Sequence, residues 1–302
     1  MNISVVVPTL NARDELAGSL DAIAEYVPDA EVIVVNGPSA DGTTGMIQER
    51  DDVDVLVEMA DRTVNAARNA GINHASADTI ALVNHTLSVT ESWYHAVRDG
   101  LADHDVVTGP THTQLTAGIA TDSVESRTIR GRSVTYFNGG NVAFRREPLD
   151  ELDGFDEYLE IGGARDFAHR LAGRGYGVTW NDDMCVREPL GADGGERETD
   201  WGWKYRSLAY RLTKNYGLRP TVARRLLGHA GSDAIAELRA VVGGDARPST
   251  WLGTGRDVLS NLLGGTKDGL VARRLDRTDR KNPHGRSSST NRPVTVYDWR
   301  EP

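Results

Sequence analysis

The sequence predicts an α/β fold with a mostly parallel central sheet flanked by helices, followed by a mainly helical C-terminal extension. Two observations carry this expectation. Apolar runs at 3–7, 31–35 and 79–83 alternate with stretches of helical periodicity, and each run ends in a polar or glycine-rich turn. After residue 200 the alternation gives way to basic segments with helical pattern alone.

Ile3-Ser4-Val5-Val6-Val7 reads as a buried strand, ended by Pro8 because proline has no amide to donate to the ladder. The polar stretch 9–13 leads into a helix over 14–26. A second strand at 31–35 is followed by the turn Asn36-Gly37-Pro38-Ser39-Ala40-Asp41-Gly42-Thr43, which opens another helix. A short strand at 53–57, a helix at 62–75 and a central strand at 79–83 come next, the last ending at Asn84-His85-Thr86. A helix at 92–100 and a strand at 105–108 precede a less regular stretch, 109–140. Beyond it the pattern gives a strand at 141–144, a short helix or turn at 147–152, an amphipathic helix at 165–173 and a last core strand at 176–180. Helical pattern then covers 201–216, 221–227, 233–242 and 256–263, and the tail from about Arg277 is poor in apolar residues until Val294. Ligands of parallel α/β sheets bind beyond the carboxyl ends of the strands, so the turns after Val7, Val35 and Val83 are expected to converge on one crevice.

A 39% hydrophobic content over 302 residues is enough for a substantial core, and the single cysteine, Cys185, rules out an intrachain disulfide and a multi-cysteine metal site. No apolar run is long enough to cross a bilayer and the N-terminus lacks a basic leader, so the sequence reads as cytoplasmic, either soluble or peripheral at the membrane face. The net charge of −10 is unevenly placed, since residues 201–302 hold 19 Lys and Arg against nine Asp and Glu. An acidic main domain argues against general nucleic-acid binding, whereas the basic part suits an anionic membrane surface. Only four of the 34 basic residues are lysines. That composition fits salt adaptation and equally fits a G+C-rich genome.

Four stretches share an order that is more specific than any one of them. Val6-Val7-Pro8-Thr9-Leu10-Asn11 is followed by Val34-Val35-Asn36-Gly37-Pro38-Ser39-Ala40-Asp41-Gly42-Thr43. Ala66-Ala67-Arg68-Asn69-Ala70-Gly71 comes next, and then Asn138-Gly139-Gly140-Asn141 through Gly154-Phe155-Asp156-Glu157. In this order and spacing the chain resembles the inverting family-2 glycosyltransferases of GT-A fold, over a domain spanning about residues 1–200. Residues 201–302 then form a basic, mainly helical extension with a flexible tail.

The resemblance implies a nucleoside diphosphate sugar donor and a hydroxyl acceptor, such as a lipid-linked glycan in the surface-glycan or N-glycan assembly of a salt-adapted archaeon. It places Pro8, Thr9 and Asn11 at the nucleotide, Arg68 beside the base or its phosphates, and Gly139 and Gly140 where the backbone passes close to the donor sugar. Each position has a plainer reading. Asn11 before a helix also serves as a cap, Arg68 also covers a helix surface with its stem, and Gly139-Gly140 also forms a tight turn. Two departures stand out. Asn36-Gly37 replaces paired acids, leaving Asn36 a carbonyl to offer the base. Asn84-His85-Thr86 stands where the family's Asp-x-Asp contacts ribose and a Mg2+ or Mn2+ ion, and its neutral oxygens and imidazole predict weak or absent dependence on either metal. Asp166, after Gly162-Gly163-Ala164-Arg165, is the expected base that deprotonates the acceptor, with a helix N-terminal acid as its structural alternative. The lost acids also leave room for a glycosyltransferase-like subunit that binds without catalysing.

Overall fold

The structure is a computed structural model that describes residues 1–113, 124–188, 201–226, 228, 248–288 and 293–300. Two compact units are present, one of Met1–Tyr158, Gly163–Gly194 and His284–Pro302, the other of Leu159–Gly162 and Gly195–Pro283.

The first unit is built on an eight-stranded sheet. Its strands are β1 (Ile3–Thr9), β2 (Glu31–Asn36), β3 (Val55–Met59), β4 (Thr79–Val83), β6 (Val106–Thr108), β10 (Asn141–Arg145), β11 (Val178–Trp180) and β13 (Pro293–Asp298). Their spatial order is β11-β6-β10-β4-β1-β2-β3-β13. β1 pairs in parallel with both β2 and β4, β2 with β3, and β6 with β11, while β10 and β13 run antiparallel to their neighbours. The sheet is therefore mixed but mostly parallel. Every residue of β1 and β4 is buried, which explains why these strands read as continuous apolar runs and not as alternating ones.

Successive residues of each strand feed opposite faces. Val5, Val7, Val34 and Val83 pack under α1 (Arg13–Tyr26) and α4 (Trp93–Asp103), with Ile47 of α2 (Thr43–Gln48) on the same side. Val6, Val35, Leu82 and Phe144 pack under α3 (Val64–His74), α5 (Arg146–Glu151) and α6 (Gly163–Arg174). Gly71 lets α3 lie flat on the sheet, since a Cβ there would stand 2.2 Å from a methyl of Val6.

The stretch read as irregular contains more order than its composition showed. β7 (Thr111–Thr113) joins β5 (Ser88–Val89) and β12 (Val186–Glu188) in a small sheet, and β8 (Ser126–Ile129) and β9 (Arg132–Thr135) form a hairpin. Strands of two to four residues are too short to leave a periodic signature.

At the C-terminal end the unit boundary departs from the compositional one at residue 200. β13 closes the sheet beside β3, Arg286 and Ser287 bind Asp153, and Arg300 pairs with Glu31 at 2.6 Å. The closing segment, whose composition reads as a surface strap or a flexible tail, belongs to the first unit.

The second unit holds α7 (Trp201–Tyr216), α8 (described over 220–226) and α9 (Pro248–Leu275). The expected helix at 233–242 lies outside the described residues. α9 is far longer than the expected 256–263 because it continues through Gly264-Gly265. Those glycines serve helix packing. A Cβ on Gly265 would stand 2.2 Å from the carbonyl oxygen of Arg206, and one on Gly269 2.6 Å from that of Tyr210, so α7 and α9 approach backbone to backbone. Among the described residues no helix is long and apolar enough to cross a membrane.

Candidate functional site

The expected convergence of strand-end turns is present, and hydrogen bonds tie it together. Thr9 lies opposite Asn36 across β1 and β2, and the Gly37 amide donates to the Thr9 carbonyl at 2.9 Å. Asn11 adopts a positive φ of 49°, a conformation asparagine tolerates better than most residues. Its amide donates to Ser39 Oγ and its side-chain carbonyl accepts from the Ala40 amide, both at 2.8 Å. Asn11 therefore stitches the first two turns together; the N-cap of α1 is Ala12. The third turn joins through His85, whose Nδ1 lies 3.0 Å from the Pro8 carbonyl. Only a protonated Nδ1 can donate there, which fixes the tautomer of a neutral ring.

The glycine pair connects this edge to α3. The Asn84 amide donates to the Gly140 carbonyl at 3.0 Å, and Asn138 Oδ1 accepts from the Gly140 amide at 2.9 Å. A Cβ on Gly140 would crowd Asn84 Cβ at 2.9 Å, and one on Gly139 would stand 2.8 Å from Arg68 Nη2 and 3.1 Å from Ala164 Cβ. Both glycines are therefore required by close approach. Arg68 Nη2 donates to the Gly139 carbonyl at 2.9 Å and Nη1 to Asn65 Oδ1 at 3.1 Å, and the guanidinium lies over the Phe155 ring, 5.3 Å from its centroid. Its Nε is buried without a partner. Burial pushes the Arg68 pKa down to about 10, so the group still carries its charge at neutral pH. All of its hydrogen-bond partners are neutral.

Two of the expected residues are held by their own neighbours. Asn36 is 1% exposed, with its Nδ2 donating to Thr44 Oγ1 at 2.9 Å and its Oδ1 accepting from Ser39 Oγ at 2.7 Å. Its carbonyl thus has one lone pair engaged inside the turn by Ser39. Asp166 is fully buried, and its Oδ2 accepts from Arg170 Nε at 2.8 Å, one helical turn along α6. Arg170 then donates to the carbonyls of Leu152 at 2.7 Å and Gly154 at 2.8 Å. Through Arg170 this carboxylate anchors α6 to the turn that carries Phe155. Residues two apart on a helix differ by about 200° in direction, so Ala164, not Asp166, is the α6 residue beside Gly139.

The remaining predicted residues fall at the same strand edge. Thr9 is 5% exposed, with Oγ1 buried and unpartnered. Asn84 is exposed and accepts weakly from the Thr86 amide at 3.4 Å. Asp41, its carboxyl held below the ordinary range chiefly by the Thr43 hydroxyl, also accepts from the Arg13 amide, as a turn-forming aspartate does. Among the described residues no three His, Cys, Asp or Glu side chains are grouped to hold a metal. Asn84, His85 and Thr86 offer two neutral oxygens and an imidazole, which do not fit a hard divalent cation, and no step is assigned to one.

Sequence reasoning passed over Asn65 and Asn69. Asn65 is fully buried and orients Arg68, while Asn69 donates to the Phe155 carbonyl at 2.9 Å and accepts from its amide at 2.8 Å. Their spacing of four on α3, with Arg68 between them, was the available signal. Away from the site, an open cleft of about 680 Å³ is lined by Tyr26, Glu91, His95, His112, Cys185 and Arg187. Burial raises the Cys185 thiol there, which makes it a poor nucleophile.

With this geometry in place, comparison with known proteins narrows the reading. Residues 4–153 match the sequence model described as glycosyl transferase family 2. Glycosyltransferase AglE of Haloferax volcanii is 25% identical over 204 residues, covering 62% of this chain and 66% of AglE, just under two thirds of that protein. Mannosyltransferase PcManGT of Pyrobaculum calidifontis, solved with GDP-Man and Mn2+, superposes with a TM-score of 0.57 at 18% identity, over 89% of this chain and 87% of its own. TarS of S. aureus, residues 1–349 with UDP-GlcNAc, gives a TM-score of 0.63 at 14% identity, over 95% and 90% respectively. At these identities the structural likeness speaks for the fold.

Proposed function

Taking residues 4–153 as a family-2 glycosyltransferase domain of GT-A-like fold, we propose that the chain transfers one sugar from a nucleoside diphosphate sugar to an acceptor, with inversion at the anomeric carbon. The observation that carries this is Arg68, a charged guanidinium with only neutral partners, set beside Gly139 at the carboxyl edge of parallel strands. A planar fork of donors in that position suits the leaving diphosphate, whose charge has to be stabilised as the glycosidic bond breaks. The turns after β1 and β2, tied through Asn11 and Ser39, would take the nucleoside, and Asn84 and Gly140 the donor sugar. PcManGT and TarS, solved with GDP-Man and UDP-GlcNAc, favour the same class of donor. Transfer by this chain depends weakly or not at all on Mg2+ or Mn2+, because the residues at the Asp-x-Asp place offer no carboxylate.

The test is a panel of UDP- and GDP-sugars offered to the purified full-length chain, reading nucleotide release and the anomeric configuration of the product. Release coupled to an inverted product is expected with one donor. Donor binding without turnover would favour the second reading, a binding subunit of glycosyltransferase fold; retention of configuration would remove the inverting mechanism.

The acceptor is placed at a membrane, as a lipid-linked glycan on the cytoplasmic face. On α9 the outward surface carries Leu259, Leu263 and Leu275, 60%, 73% and 66% exposed, interspersed with exposed Arg256, Lys267 and Arg274. Apolar side chains beside cations suit an anionic lipid surface. Salt screens the long-range attraction to a Debye length of about 3 Å at 1 M, so the leucines carry much of the contact in a salt-rich cytoplasm. Full-length protein is expected to float with anionic liposomes, and Leu259→Glu with Leu263→Glu to abolish flotation; equal flotation of both proteins, or none by either, would contradict this placement. An arginine-for-lysine composition and the Haloferax relative favour a salt-adapted archaeal host and a surface-glycan role.

A further inference from the structure

The turn that carries Phe155 is held from two sides. Asp153 and Gly154 have positive φ angles of 59° and 65°, a left-handed pair that is unfavourable at the aspartate and persists only where its surroundings fix it. On one side stands Asn69 of α3, which binds both backbone groups of Phe155. On the other stands the segment 284–287, from the far end of the chain. The Ser287 amide and hydroxyl donate to the Asp153 carboxylate at 3.0 and 2.5 Å, and the Arg286 amide donates to the Asp153 carbonyl at 3.1 Å. Arg286 lays its stem over Gly154, where a Cβ would stand 2.6 Å from Arg286 Cγ and 2.4 Å from Asn69 Oδ1. Its guanidinium donates to the Leu149 carbonyl at 3.3 Å and to Asp150 at 2.7 Å. Past Phe155, the Glu157 amide donates to the His284 carbonyl at 2.9 Å, so the segment grips the turn at both ends.

From this clamp we propose that residues 284–287 are a positioning element of the donor site, acting on Arg68 through the ring of Phe155. This positioning rests on the donor reading above and extends that site to the closing segment of the chain. Asn65 and the Gly139 carbonyl hold the terminal nitrogens of Arg68, and the Phe155 ring supports the face of its guanidinium. A fork-shaped contact to phosphate depends on direction as well as distance, so a small shift of the supporting ring lowers affinity without unfolding the domain. Arg286 holds the turn by its stem as well as by its charge, which makes the two separable by substitution.

UDP and GDP affinities are measured by calorimetry on the full-length chain, on Arg286→Ala, Arg286→Lys and Arg68→Met, and on the Arg68→Met, Arg286→Ala double variant. Each protein is kept at a temperature where its denaturation curve shows it folded, and hydrogen exchange is followed at the amides of 154–157. Arg286→Ala is expected to weaken the nucleotide that the parent binds by about tenfold, and Arg286→Lys, which keeps the stem over Gly154, by less than about threefold. Exchange at the Phe155 amide should quicken in the alanine variant and not in the lysine variant. In the Arg68→Met background the same Arg286→Ala change is expected to cost less than about twofold, because the group it acts through is gone. A lower denaturation midpoint with unchanged affinity in the folded protein overturns the proposal, as does an equal loss of affinity in both backgrounds. If Arg286→Ala does not fold, Ser287→Ala takes its place in the same cycle; it leaves the Ser287 amide on Asp153, and a loss of about threefold is expected. A parent chain that binds neither nucleotide overturns the donor reading itself, and the exchange rates then decide alone whether the segment holds the turn.

Discussion

Replacing Arg170 with alanine is expected to destabilise the fold by about 3–5 kcal/mol, because it removes the fully buried guanidinium that pairs with Asp166 and donates to the Leu152 and Gly154 carbonyls. Asp166→Ala should cost a similar amount for the reciprocal reason. Both side chains are fully buried. Against a total stability of about 5–15 kcal/mol for a globular domain, either loss is a large fraction. The turn that Arg170 holds leads into Phe155, whose ring lies under Arg68, so loosening it should also reduce donor binding. Chemical denaturation of the variants and the parent reads the effect directly. A shift below about 1 kcal/mol with turnover abolished and donor binding unchanged would return Asp166 to the role of catalytic base.

Arg68→Met is expected to weaken nucleoside diphosphate binding about 10- to 100-fold, in line with about 1.5–3 kcal/mol for a hydrogen bond to a charged group. Methionine keeps much of the apolar stem over Phe155 and removes the charge, which separates anion recognition from packing. Arg68→Lys should recover only part of the affinity, since an ammonium cannot donate to the Gly139 carbonyl and to phosphate with the same planar fork. Equal affinity across the three proteins would show that Arg68 serves packing alone.

How far the fold was legible depended on burial. β1 and β4 are buried along their whole length and were legible as strands, although β1 continues through Pro8 to Thr9, past the stop expected at the proline, and the turns after β1, β2 and β4 converge as the parallel topology requires. β13 was harder to place. Its residues alternate between half-buried and exposed at the edge of the sheet, in a stretch whose neighbours are arginine, serine and asparagine. The full extent of α9 was hidden by Gly264-Gly265, which locally resembles a helix stop and whose purpose appears only once Arg206 and Tyr210 are opposite.

The site was legible in its membership and less so in its directions. Arg68, Gly139, Gly140, Asn84 and His85 come together because each stands next to a strand end or on the helix packed over it. The local partners of Asn36 and Asp166 were hidden for a shared reason, since sequence does not show which neighbours a polar side chain near a site will bind. Ser39 and Thr44 take both ends of Asn36, and Arg170 takes Asp166. The spacing of Asp166 and Arg170, four residues apart on one helix, was visible in the sequence, but burial decides whether such a pair is a surface decoration or an anchor.

The central claim is that a guanidinium, in place of a carboxylate-bound metal, holds the donor diphosphate. It is tested most directly by titrating the purified full-length chain with UDP and with GDP, first in excess chelator and then with Mg2+ or Mn2+ added back. The account predicts binding of one nucleotide in chelator, at an affinity that changes by less than about threefold on restoring either metal. Binding that disappears in chelator and returns with Mg2+ or Mn2+ would contradict it.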